Sequence, residues 1–275
     1  MLVRHLAIVP ERLTREHYEK VARDLTRATA AFQTQISRDL RPFWHVDATV
    51  TAFTSIEDVP LGHWVIFLKE SIGEDDELGF HLDSHNQPYA LVAYDTSWTL
   101  SLSHEILEIL VDPSGNRLVA GPSVDPKHPH HRVRYLLELC DPCEDSAYSY
   151  TIDGVVVSDF ITPHYHDPQD TSGARYSFTG ALRGPRDVLP GGYLTWEDPV
   201  LGAWYQLNVV QKRAIKKLYA IENARSLREH VNRMTPPPAA VFHGNSAKMK
   251  TASRRREAGA AASAAQARAL RSLLR

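Results

Sequence analysis

The sequence predicts an α+β fold, with a sheet, a long backing helix and a second helix that carries the chemistry. A smaller C-terminal part and a basic tail follow. Three observations point there. Short alternating or continuous apolar runs recur through residues 2–95. After Thr14 the apolar side chains instead repeat every third or fourth residue over a long stretch. The charge is divided: residues 246–275 carry eight basic side chains against the single Glu257, a net +7. With the whole chain at −2, residues 1–245 carry −9.

Residues 2–9 (LVRHLAIV) open with a strand. Thr14 can cap a helix whose apolar positions are Tyr18, Val21, Leu25, Ala28, Phe32, Ile36 and Leu40, with Pro42 as its stop. Residues 46–53 and 63–69 read as strands, the second with Trp64, Ile66 and Leu68 on one face. After the polar GEDDE loop, residues 78–82 form a short strand and 89–95 another. Ser97 or Thr99 opens a helix that runs to about Asp112, where Pro113 ends it. Residues 114–131 read as a loop and 133–140 as a strand. Residues 150–160 contain a turn at Asp153-Gly154, and 185–204 read as loop and turn. Residues 206–232 are expected to be a helix, with Leu207, Val210, Ile215, Leu218, Tyr219 and Ile221 as its apolar positions.

This divides the chain into residues 1–113, 114–235 and a tail from 236 to 275. The composition, 43% hydrophobic and 23% charged, is that of an ordinary globular protein. No run is long and apolar enough for a membrane span. The start MLVRHLAIVPERL lacks a signal-peptide pattern, which predicts cytoplasmic residence.

The chemistry concentrates in Ser103-His104-Glu105-Ile106-Leu107-Glu108. In a helix, His104 and Glu108 fall one turn apart on one face, about 6 Å along the axis, where an imidazole and a carboxylate can grip one ion. Glu105 stands beside them as a candidate general base. The pattern is the zinc-hydrolase motif HExxH with a carboxylate replacing the second histidine. The competing reading of HExxE is a solvated helix face.

This motif and the order strand, long helix, strand, strand, short strand, strand, motif helix resemble the upper half of zincin metallopeptidases over residues 1–113. The resemblance implies a zincin-like twisted mixed sheet with residues 78–82 as its edge, where a peptide substrate pairs by strand addition. It also implies one Zn2+ and hydrolysis of peptide bonds.

A catalytic zinc takes three protein ligands. Asp112 lies about 12 Å along the helix from His104, out of reach of a shared ion, and is expected to pin the following loop instead. Glu138 is the favoured third ligand, by analogy with the later glutamate of gluzincins, and Asp141 is the alternative. In a strand, Glu138 and Cys140 would share a face and Asp141 would point away. His164 and Tyr165, in a proline-bounded loop with His166, are candidate donors to an oxyanion. Cys140 and Cys143 admit a structural zinc with His128, His130 and His131, plain reduced thiols, or a local disulfide.

Residues 246–275 can meet an acidic partner or nucleic acid. Three function classes follow: a zinc peptidase using Glu105 as base, a catalytically silent structural or assembly protein of zincin-like fold, and a nucleic-acid-binding module.

Overall fold

In a computed structural model of the protein, described over residues 3–72, 78–84, 87–209 and 213–218, the first apolar run forms β1 (Val3–Glu11). Leu6–Pro10 are buried as a continuous block, the signature of a strand flanked by parallel neighbours. Those neighbours are β2 (Asp47–Ala52) and β3 (Trp64–Lys69), both parallel to β1. Next come β5 (Gln87–Ala93), parallel to β3, and β4 (Gly79–Ser84), antiparallel to β5. The order is therefore β2-β1-β3-β5-β4, a mixed sheet with β4 at its edge. Every residue of β3 is buried. Trp64, Ile66 and Leu68 face the main core, as expected, and Val65 and Phe67 enter a second cluster on the other face.

Helix α1 (Arg15–Thr34) starts where Thr14 accepts from the His17 N–H, and buries Val21, Ala28 and Phe32. Tyr18 stays exposed. The helix does not stop at Pro42. It widens into a π-helical segment (Gln35–Leu40) and re-forms as the short α2 (Arg41–Trp44), which His45 closes in the left-handed region. Pro42 thus falls in the first turn of α2, where its missing N–H costs nothing. The π segment turns Gln35 into the core. Its Nε2 donates to the Ser158 carbonyl, and its Oε1 accepts from Ser103 Oγ, next to His104.

Helix α3 (Trp98–Val111) packs against β4, β5 and the hairpin strand β9 (Val155–Val157). Beyond it the chain departs from expectation. The 114–131 region contains β6 (Leu118–Pro122), which pairs with β7 (Arg132–Leu136), and 185–204 contains β10 (Tyr193–Asp198). The expected helix at 206–232 is a β-hairpin over its described part: β11 (Ala203–Val209) pairs antiparallel with β12 (Arg213–Leu218). A period of two wins there. Tyr205, Leu207 and Val209 share the face that packs on the main core, with Ile215 opposite Leu207. The second sheet is antiparallel, in the order β12-β11-β10-β7-β6. The Asp153-Gly154 turn joins β8 (Tyr150–Ile152) to β9 (Val155–Val157), both turn residues having positive φ. The architecture is α+β. Residues 219–275, including the basic tail, and the acidic loop 73–77 lie outside the described residues.

Strand β7 ends at Leu136, short of the expected Cys140. Residues 137–140 leave the sheet and lead into a 3-10 turn, Asp141–Cys143, with Pro142 at its start. Gly192 fixes that turn from behind: a Cβ there would come 2.6 Å from the Asp141 carbonyl oxygen and 2.7 Å from that of Pro142. Gly192→Ala is expected to lower stability by about 1–3 kcal/mol, the usual cost of overpacking, in urea unfolding. Gly184→Ala, which meets nothing within 4 Å, is the near-neutral control.

Candidate metal centre

Helix α3 is buried on almost every side, which excludes the solvated-face reading of HExxE. Glu105 is 3% exposed and Glu108 fully buried. Just before the helix, Asp95 Oδ1 accepts from the N–H of Ser97, the residue that precedes its first turn, at 2.8 Å. Asp112 ends it and pins the next loop, its Oδ2 accepting from the Arg117 N–H at 2.8 Å.

His104 and Glu108 meet across one turn, with Nε2 3.3 Å from Glu108 Oε1. Asp141 Oδ1 lies 3.2 Å from the same nitrogen. Two ligands bonded to one tetrahedral ion at about 2.0–2.1 Å stand about 3.3 Å apart, so both contacts have the edge length of such a site. They are longer than a good charge-assisted hydrogen bond, at about 2.7–2.9 Å. Burial opposes charge on His104, but Glu108 and Asp141 outweigh it and hold its pKa well above the ordinary imidazole value. The same field that favours a proton on Nε2 favours a cation in its place. The His104 side chain is 14% exposed, which leaves this part of the cluster an outlet.

The irregular 137–144 segment changes the expected geometry of the third ligand. Glu138 and Asp141 do not point apart. Both bring carboxylate oxygens within 4.8 Å of Glu108, and the contact with His104 is made by Asp141. The Cys140 N–H donates to Glu108 Oε1 at 3.1 Å, tying this segment to α3.

Two members of the cluster escaped the sequence reading. Glu144 groups with His104 and Asp141. His81, fully buried on β4, groups with Glu105 and Glu108, and these three can hold a metal ion. His81 Nε2 donates to the Asp112 carbonyl at 3.0 Å, while Nδ1 faces Glu105 Oε2 at 3.4 Å and Glu108 Oε2 at 3.5 Å. A signal for His81 existed. Phe80 joins the far cluster, so the strand period sends Gly79, His81 and Asp83 to the opposite face. Gly79 sits tight against the site: a Cβ there would lie 2.7 Å from Glu105 Oε1.

The structure does not bring the other candidates to this cluster. Tyr165 is fully buried and its hydroxyl donates to the Asp187 carbonyl. His164 pairs with Asp167 at the surface. Cys140 and Cys143 are free buried thiols whose pKa burial pushes well up. His131 pairs with Asp198 and stacks on His128, and His130 is exposed. Among the described residues no ligand cluster joins these histidines to the cysteines.

No family model, curated protein or solved structure matches the chain. Among the described residues no helix is long and apolar enough to cross a membrane.

His166 has both ring nitrogens shielded and without hydrogen bonds. Burial, reinforced by Arg186, pushes its pKa down from 6.5 to about 4. Between these values the unfolded chain binds a proton that the folded one refuses, so stability falls as the pH drops through that window. The loss is on the order of 3 kcal/mol at pH 4. Urea unfolding at pH 7 and pH 4.5 is expected to show a smaller acid loss in His166→Phe than in the natural protein.

Proposed function

We propose that this chain is a zincin-like metallohydrolase acting on peptide bonds. A divalent ion, zinc by the character of its donors, is held by His104, Glu108 and Asp141, with Glu105 as general base. The observation that carries the reading is the double approach to His104 Nε2, at 3.3 Å from Glu108 and 3.2 Å from Asp141. The burial of the whole motif and the antiparallel edge strand β4 beside its helix support the zincin resemblance.

The ion, when bound, supplies Lewis acidity toward a carbonyl oxygen and toward water. Glu105 takes the proton of the attacking water and passes it to the leaving amine. Glu138 and Glu144 add negative charge around the donors, which strengthens cation binding and weakens Lewis acidity relative to a site of neutral imidazoles. Strand β4, at the sheet edge among the described residues, offers main-chain groups to an extended peptide. Residues 246–275 are read as a contact for an acidic partner or nucleic acid on their charge alone.

One observation favours the second reading, a catalytically silent structural or assembly protein: Glu105 is 3% exposed and roofed by Gly79.

Elemental analysis of the full chain, with His104→Ala in parallel, tests the site. Zinc that co-purifies with the natural protein is expected to be lost in the variant. Stripping that ion with a chelator is expected to lower the Tm, since the ligand binds only the folded chain. Glu105→Gln, loaded with one equivalent of zinc, is expected to keep the ion and lose about 10²–10⁴-fold of peptide hydrolysis. An ion-loaded natural protein without hydrolysis of a mixed peptide library would support the silent reading.

A further inference from the structure

The two oxygens of Glu108 face different histidines. Oε1 looks toward His104 and accepts the Cys140 N–H, while Oε2 looks toward His81. On the His81 side a second set of donors converges. Nδ1 of that ring lies 3.4 Å from Glu105 Oε2 and 3.5 Å from Glu108 Oε2, edge lengths that fit bonds of about 2.1–2.2 Å to one ion.

The state of His81 is what turns this into a site. Its Nε2 sits 3.0 Å from a backbone carbonyl, which can only accept, so that nitrogen carries a hydrogen. Nδ1 is then the nitrogen left to bind, and it makes no hydrogen bond, nor does Glu105 Oε2 opposite it. Both side chains are more than nine-tenths buried. A ring nitrogen aimed at carboxylate oxygens, with its other N–H fixed on a main-chain carbonyl, is the usual dress of a metal-bound histidine.

We propose that His81, Glu105 and Glu108 form a second seat for a divalent cation, sharing Glu108 with the seat at His104 and Asp141. The proposal rests on the first seat as read above. A carboxylate bridge of this kind spans ions about 3.5–4 Å apart. Occupation of the second seat engages the Glu105 oxygen that would otherwise take a proton. The two-ion form is therefore slower in hydrolysis than the one-ion form, and zinc itself sets the balance between them.

The test is equilibrium dialysis of the chelator-stripped full chain against buffered free zinc, with bound metal counted by mass spectrometry. At saturation the natural protein is expected to hold two ions, and His81→Ala, Glu105→Gln and His104→Ala one each. Glu105→Gln is near-isosteric, so a folding defect in His81→Ala does not decide the matter. Equal metal content in the natural protein, His81→Ala and Glu105→Gln would overturn the second seat. If that content is a single ion lost only in His104→Ala, the first seat survives alone. A single ion lost in His81→Ala and Glu105→Gln but kept in His104→Ala would sustain the seat and overturn the reading centred on His104. No ion in any protein would overturn both.

Discussion

A fully buried carboxylate, Glu108, sets the terms for the rest of this structure. Removing a carboxylate from water costs several kcal/mol unless its charge is met by good partners. Glu108 draws those partners from three separate parts of the chain: His81 on the sheet edge, His104 on its own helix, and the Cys140 N–H beyond β7. Each of these must be in place for the others to be satisfied. Removing one partner of such a group strands the remaining charge, at a cost of about 3–5 kcal/mol.

Much of the surrounding architecture serves that arrangement. The absence of side chains at Gly79 and Gly192 lets β4 and the 189–192 loop press close to Glu105 and to the Asp141–Pro142 backbone. The π-helical segment after α1 aims Gln35 at Ser103 and Ser158, bracing α3 at the residue before His104. Asp112 works twice, its carboxylate holding Arg117 and its carbonyl holding His81. Such polar links in a low-dielectric interior fix orientation more firmly than apolar packing can.

The first half of the fold was legible in the sequence because its signals are local. Continuous apolar strands, a capped amphipathic helix and an HExxE spacing all lie within single elements. Pro42 misled because a helix can pass a proline by widening one turn before it, which no periodicity reveals. The 206–232 segment misled because Leu207, Val210, Ile215 and Leu218 fit a helical spacing loosely, while Tyr205, Leu207 and Val209 fit a strand. Only the pairing of β11 with β10 and β12 decides between them. At the site, the helix ligands were legible from spacing. The company of Glu138 with Asp141 was hidden, since it depends on β7 ending at Leu136. His81 stood on a recognised strand, but its partners are 24 and 27 residues away.

The donors divide by where they lie along the chain. His81, Glu105 and Glu108 all come from β4 and α3, which pack against each other. The His104 corner instead takes Asp141 from the segment beyond β7. That corner is also the one whose histidine is 14% exposed. A shift of the 137–144 segment would therefore act first on the corner that opens to solvent, and the inner corner keeps its three donors on elements that hold each other.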